Sequence, residues 1–315
     1  MGVNRRVALA LGAGAALAVA VPAQAQASPI TGRLRDLERQ HGARLGVFAS
    51  DTGTGRTVLH RSNERFPICS VFKTLVAGAV LRRDQDGALL GKVVRYTSAE
   101  VEKSGYGPIT GKPENLANGM TVRALCEATI TYSDNAAANL LLRELGGPSA
   151  VTRFCRSIGD PVTRLDRWEP ELNSAEPWQE LDTTSPRAIG QSYARLTVGH
   201  ALERPDARQL TDWLLANTTG ANRIRAGLPG EWRLGDKTGT GSYGTTNDVG
   251  IAWPPGRAPI VIAVLVTKPE DPKAGADEPL VAQPRSRPTR AAAGAPARRS
   301  PRCRARSRTR GPPSA

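Results

Sequence analysis

Asp248-Val-Gly-Ile-Ala-Trp253, Pro254-Pro255-Gly256 and Ile260-Val-Ile-Ala-Val-Leu-Val-Thr267 read as a strand, a turn and a returning strand. β-Branched residues crowd both runs and a proline-glycine break separates them, as in an antiparallel pair. Working outward, Leu234–Thr238 adds a strand just before them. The other chain end repeats the signal: Arg44–Asp51 is a strand, Thr52-Gly53-Thr54-Gly55 a turn and Arg56–His60 the return. Between these ends the signals are mostly helical. Ile30, Leu34, Leu37 and His41 predict a first helix after Pro29. Pro67 opens a run through Ser70 to Leu81, Thr121 starts another, and Asn135–Leu145 closes at Gly146-Gly147. The fold class that follows is α+β: a five-stranded antiparallel sheet assembled from both chain ends, with a helical insert at about residues 66–214.

The 315 residues allow one large domain or two ordinary ones, and 39% hydrophobic residues with 32 glycines is ordinary for a soluble globular chain. That composition excludes a collagen-like, a wholly disordered or a membrane-embedded protein. The formal net charge of +14 resembles that of a nucleic-acid binder. Its distribution argues otherwise. Ten arginines and no acid lie between Ala282 and Ala315, and Arg5 and Arg6 precede Ser28 without an acid, which leaves residues 28–281 at only +2. The basic tail and the near-neutral body need separate explanations.

Arg5 and Arg6 are followed by an apolar, alanine-rich run from Val7 to Val21 and by Ala23-Gln24-Ala25 and Ala25-Gln26-Ala27. This is the pattern of a signal peptide over residues 1–27, its apolar run short for a bilayer span. The expectation is a secreted protein, exported by Sec or, from Asn4-Arg5-Arg6-Val7-Ala8-Leu9, by Tat, without a stable membrane anchor. Export permits disulfides, yet Cys69, Cys126, Cys155 and Cys303 have no CxxC spacing. Cys126 and Cys155 could pair or remain buried thiols. His41, His60 and His200 are far apart, so neither a metal site nor any cofactor is expected.

Four motifs carry chemistry. In Ser70-Val71-Phe72-Lys73 the i, i+3 spacing sets a lysine amine beside a serine hydroxyl, which becomes a nucleophile once a neighbouring base takes its proton. The first turn of a helix there also offers free N–H groups to an oxyanion. Ser133-Asp134-Asn135 is a turn before a helix, and Lys237-Thr238-Gly239 lies on a strand that becomes an edge if something binds beside it. Trp168-Glu169-Pro170-Glu171-Leu172-Asn173 lies in an irregular stretch bounded by Arg167 and Asp182. Each alone has a bland reading: a solvated helix face, an N-cap, a strand end, an acidic loop. Gly239-Thr-Gly-Ser-Tyr-Gly244 matches GxGxxG but sits between strands rather than opening a helix, so it is not a dinucleotide site.

In this order and spacing the four motifs, with Arg164-Leu-Asp-Arg-Trp-Glu-Pro-Glu-Leu-Asn173 and Lys237-Thr-Gly-Thr-Gly241, resemble those of class A serine β-lactamases of the secreted, actinobacterial type, over about Pro29 to Ala282. The resemblance implies an α/β/α sandwich with the active site where the sheet meets the helical subdomain. It implies hydrolysis of penicillins and some cephalosporins, conferring resistance, through an acyl-enzyme on Ser70. Lys73 or Glu169 acting through a water would be the acylation base; that alternative stays open. Ser133 would relay a proton to the leaving nitrogen beside Lys237, and Glu169 with Asn173 would activate the deacylating water. The resemblance also implies substrate contacts from Tyr106, Asn135, Arg223, Thr238, Gly239 and Thr240. Backbone N–H groups of Ser70 and Thr240 would hold the oxyanion. Many members carry an arginine where Thr246 stands, and Arg223 resembles the one others use instead. An ion pair of Arg167 with Asp182, with Asn139 as a brace, would close the loop carrying Glu169. Some carbapenem-hydrolysing members pair a cysteine at Cys69 with one that Gly241 replaces here. The expected partner is a small-molecule β-lactam, with no nucleic acid, and the expected state a monomer.

Two rivals remain. A DD-peptidase shares three of the motifs but lacks the Glu169–Asn173 pair, and a polyanion-binding module would use the arginine tail. The tail is where the resemblance breaks. Asp277-Glu278-Pro279-Leu280-Val281-Ala282 starts like the terminal helix of the family; then Pro284 and Pro288 stop it, and residues 283–315 read as disordered or as the product of a shifted frame.

Overall fold

The computed structural model describes residues 29–84 and 86–283. The expected signal segment at residues 1–27, Cys303 and the arginine tail from residue 284 lie outside the described residues. The first helix, α1 (Pro29–His41), leads into β1 (Arg44–Asp51) and β2 (Thr57–His60). The helical insert follows with α2 (Lys73–Arg83), α3 (Ser98–Lys103), α4 (Val122–Thr131), α5 (Asn135–Leu145), α6 (Pro148–Ser157), α7 (Pro186–Thr197) and α8 (Arg204–Leu215). The chain returns through α9 (Ile224–Gly227) to β3 (Arg233–Gly241), β4 (Thr245–Trp253) and β5 (Ile260–Thr267), and α10 (Glu278–Ala282) closes it. Shorter helical turns lie between these elements.

The five strands form one antiparallel sheet in the order β2-β1-β5-β4-β3. The α+β class read from the sequence is therefore the observed one. β1 and β5 pair from Arg44↔Thr267 to Asp51↔Ile260, joining the chain ends at the centre of the sheet. β3, with Lys237, is an edge strand; its other neighbour is the turn that carries Ser70.

Side-chain alternation along the strands builds two cores. Leu45, Val47, Val264 and Val266 point to one face, where Leu34 and Leu37 of α1, Ile224 of α9 and Leu280 and Val281 of α10 cover them. Phe48, Val261, Ala263 and Leu265 point to the other, against Ile189 and Tyr193 of α7, and that core continues into α2, α4 and α5. The layers are helix, sheet, helix. Among the described residues no helix is long and apolar enough to cross a membrane.

One expected boundary moves. Pro67 does not open a helix; it sits in a two-residue strand in which Phe66 and Pro67 pair with Thr184 and Thr183. Ile68 then donates its backbone N–H to Asp182 O at 2.8 Å, which keeps the chain extended. The helix starts two steps later, as a 3₁₀ turn over Cys69–Phe72 that passes into α2 at Lys73. Cys69, Cys126 and Cys155 are buried free thiols, so the Cys126–Cys155 pairing is not formed.

Candidate active site

Ser70 stands in the 3₁₀ turn that leads into α2 because Cys69 takes a positive φ of 43°, which swings the chain out of the Phe66–Pro67 strand. Lys73 follows one turn later and is completely buried, Ser70 nearly so. Their meeting point is Glu169. Its Oε1 accepts from Ser70 Oγ at 3.3 Å and lies 3.1 Å from Lys73 Nζ. Lys73 also donates to Ser133 O at 2.8 Å, to Ser133 Oγ at 3.3 Å and to Asn135 Oδ1 at 2.6 Å. Burial pushes the Lys73 amine below the ordinary lysine range, and the Glu169 carboxylate opposes that shift.

The Ser133-Asp134-Asn135 turn is the N-cap the sequence allowed, and more than that. Asp134, fully buried, accepts from Ala137 N at 2.8 Å and so starts α5. It also accepts from Ile109 N at 3.0 Å, Thr110 N at 2.9 Å and Thr110 Oγ1 at 3.0 Å. Asn135 N donates to Tyr106 O at 2.8 Å, and Asn135 Nδ2 to Ser104 O at 3.0 Å. One carboxylate thus fastens the loop of half-exposed Tyr106 to the turn of Ser133.

Glu169 is presented by the irregular stretch at residues 164–182. Arg167 Nε donates to Asp182 Oδ2 at 2.6 Å, and Asp182 Oδ1 accepts from the backbone N–H groups of Asp166 and Arg167. Asn139 of α5 holds the Glu169 backbone on both sides, donating to its carbonyl at 2.8 Å and accepting from its N–H at 3.0 Å. Asn173 donates its side-chain amide to Glu169 Oε2. The carboxylate is therefore fixed at both oxygens while 2% exposed.

The edge strand β3 closes the site. Lys237 is fully buried and donates to Thr238 O at 2.9 Å; burial, with the positive charge of Lys73 nearby, holds its amine well below the ordinary range. Thr238 shares a hydroxyl hydrogen bond with Thr219. A Cβ added to Gly239 would lie 3.2 Å from Ser70 N, so strand and nucleophile turn approach closely at that point. Thr240, at the exposed end of the strand, accepts from Arg223 Nη2 at 2.7 Å. Arg223 itself is buried, donating to Gly239 O, Asn247 O and Glu278 Oε1 as well. It reaches the cleft through the Thr240 hydroxyl.

Gly241 has no room for a side chain: a Cβ would stand 2.7 Å from Asn173 O and 2.7 Å from Cys69 Sγ. Gly241→Ala is expected to force strand and loop apart and to cost roughly 1–3 kcal/mol of stability, as overpacking does. Thermal unfolding of the variant against the parent measures it. Cys69 itself is no nucleophile, since burial drives its thiol pKa upward and keeps the proton on sulfur.

The structure brings all the sequence-predicted residues to this junction, with Arg223 behind the strand and Tyr106 on the adjoining loop. Sequence reasoning missed three supports. Asn247 of β4 donates to Pro67 O at 2.8 Å and Ile68 O at 3.2 Å, tying the sheet to the nucleophile turn. Glu278 of α10 pairs with Arg223 at 3.2 Å. Asp248, fully buried, accepts from Ile224 N at 3.0 Å beside Arg223, its carboxyl pKa raised well above the ordinary range by burial and by nearby Asp236. The visible signal was Asn247-Asp248 at the polar start of a strand that continues as Val-Gly-Ile-Ala-Trp253. Among the described residues no cluster of three or more His, Cys, Asp or Glu is arranged to hold a metal ion.

Comparison with known proteins agrees with this geometry. The model of the β-lactamase enzyme family matches residues 29–283. A β-lactamase of Streptomyces lavendulae is 65% identical over 252 residues, covering 80% of this chain and 82% of the relative. The solved β-lactamase from Streptomyces albus G superposes with a TM-score of 0.80 at 63% identity, covering 82% of this chain and 97% of that one. A mutant of the class A β-lactamase of the last common ancestor of Gram-negative bacteria gives a TM-score of 0.76 at 50% identity, with 81% and 95% covered.

Proposed function

Because the chain belongs to the class A serine β-lactamases and hydrolyses β-lactams, we propose that it does so through an acyl-enzyme on Ser70 that a Glu169-activated water releases, with penicillins and some cephalosporins as substrates. The observation that carries this reading is the single carboxylate oxygen, Glu169 Oε1, within reach of both Ser70 Oγ and Lys73 Nζ. A serine hydroxyl beside a carboxylate and an amine whose pKa burial lowers has two candidate bases for its proton. The attacked carbonyl would lie between Ser70 N and Thr240 N, where two N–H groups stabilise the oxyanion by a few kcal/mol.

Ser133 Oγ, 3.3 Å from Lys73 Nζ, would pass a proton to the lactam nitrogen as the C–N bond breaks, with Lys237 supporting it. The substrate carboxylate would meet Thr238 and Thr240, the latter hydroxyl polarised by Arg223. Asn135 would donate to the side-chain amide and Tyr106 flank the cleft mouth. Asn173, bonded to Glu169 Oε2, positions the base that draws a proton from the hydrolytic water and so separates turnover from dead-end acylation. The arginines and apolar run of residues 1–21 support secretion, and one chain supplying every residue of the proposed site supports a monomer.

Mixing purified protein with a chromogenic cephalosporin is the test. Many turnovers per active site are expected; stoichiometric labelling followed by arrest would fit a DD-peptidase and overturn the proposal.

A further inference from the structure

The hydroxyl of Thr238 on β3 ends a chain of hydrogen bonds that runs inward from the cleft through the loop after α8. Its links can be followed proton by proton. Thr219 N donates to Asn217 Oδ1 at 3.1 Å, and a backbone N–H can only donate, so the Asn217 amide is fixed with its oxygen toward Thr219. The amide nitrogen then faces Asp236 and donates to its Oδ2 at 2.7 Å, while Asp236 Oδ1 accepts from Arg225 Nη2 at 2.7 Å. Asn217 Oδ1 takes a second bond, from Thr219 Oγ1 at 2.8 Å. An amide oxygen has no proton to give, so that bond uses the single proton of the Thr219 hydroxyl. Thr219 Oγ1 is also bonded to Thr238 Oγ1, and two hydroxyl oxygens in such contact need a proton between them. Thr219 has none left. The proton is therefore that of Thr238: it points into the protein, and Thr238 turns lone pairs to the cleft.

On the function proposed above, on which this inference rests, the substrate carboxylate meets Thr238 at this point. A carboxylate only accepts, so it gains no bond from a hydroxyl whose proton points away. We infer that Thr219 is a positioning residue that holds the Thr238 proton inward in the free enzyme, and that an anionic β-lactam binds by reversing both hydroxyls. In the reversed order Thr219 donates to Thr238 and Thr238 donates to the carboxylate, while Asn217 Oδ1 keeps only the Thr219 N–H. Two O–H rotations accomplish this without displacing a heavy atom. The loop itself is pinned, since Thr218 gives both its N–H and its hydroxyl to Thr131 O, at 3.0 and 2.8 Å. Thr238 and Asn217 are 5% and 8% exposed, so water has little room to replace the bond that Asn217 gives up. The gain at the carboxylate is offset by that loss, and the relay tempers affinity for the anion.

The experiment measures kcat and KM for benzylpenicillin with the full chain and with Thr219→Val, Thr219→Ala, Thr219→Ser, Thr238→Val and the double variant Thr219→Val/Thr238→Val. Without the Thr219 hydroxyl the Thr238 proton is free to turn outward. Thr219→Val and Thr219→Ala should therefore each lower KM about two- to tenfold, the size of one hydrogen bond. The carboxylate is held alike before and during reaction, so kcat should stay near the parent's. Thr219→Ser, which keeps the hydroxyl, should match the parent. Thr238→Val should raise KM, and adding Thr219→Val to it should change nothing further. A hydroxyl that merely supports Thr238 predicts the opposite sign. A raised or unchanged KM in Thr219→Val or Thr219→Ala, or a fall that persists in the Thr238→Val background, would overturn the relay. A parental KM for Thr238→Val would instead overturn the carboxylate contact on which the inference rests, and a parent unable to turn over benzylpenicillin would overturn the function itself.

Discussion

Glu169→Ala is expected to convert the enzyme into one that is acylated and stays so. Intact mass after mixing with a penicillin should show one drug mass added and retained. Steady-state turnover should fall by roughly 10²–10⁴-fold, the span general-base catalysis contributes. The reason is geometric: Glu169 Oε2 is oriented by Asn173 and its backbone is clamped by Asn139 on both sides. Nothing else among the described neighbours of Ser70 offers a carboxylate. The rate of labelling carries a second result. Removing Glu169 takes away the charge that opposes the burial shift of Lys73, so that amine loses its proton at still lower pH. If Lys73 is the acylation base, labelling remains fast; if Glu169 is, labelling slows as well. Unchanged deacylation would remove Glu169 from the role altogether.

Asp134→Ala should be the most destabilising single change at the site. It strips the acceptor from Ile109 N, Thr110 N and Ala137 N, three backbone donors in or at the edge of the buried interior, and removes the cap of α5. Each orphaned donor costs about 1–3 kcal/mol, though not additively, so a loss of roughly 3–5 kcal/mol is expected. For a chain of this size that is a fall in Tm of about 10 °C. Asp134→Asn is the informative companion. Its amide still presents one oxygen, but its NH2 must face donors, so it should recover only part of the loss. A change in Tm under about 2 °C for Asp134→Ala would contradict the latch.

Ile260–Thr267, rich in β-branched residues, announced itself and is found where the sequence put it. The candidate catalytic residues were legible because Ser70 and Lys73 share a local turn and the other motifs are short and ordered. What stayed hidden was tertiary. Pro67 looks like a helix opener until Thr183 pairs with it, and no local propensity reports a strand more than 100 residues away. Asp134 reads as a cap from sequence; its bonds to Ile109 and Thr110 depend on how the intervening chain folds back. Glu278 is invisible as a site residue because Arg223 lies 55 positions earlier. Arg223 resembles a substrate ligand in sequence; in the fold its guanidinium donates to two carbonyls, the Glu278 carboxylate and the Thr240 hydroxyl, through which it reaches the cleft.

The pairing of β1 with β5 has a kinetic side. Arg44 must find Thr267, more than 200 positions downstream, before the sheet has a centre. β4 hangs on β5, and β3 on β4. The strand bearing Lys237 and Thr240 therefore joins the rest of the sheet only through Ile260–Thr267, although it is made earlier. Closing so long a loop adds little entropy per added residue, but every such non-local contact slows the search. The local helices can form while the chain is still being made. On the proposed mechanism the Ser70 helix would then form before the cradle it shares with Thr240, and a chain still short of residue 267 is expected to be inactive. Activity switches on at one late step, so its appearance during refolding should follow the sheet and lag behind the helices.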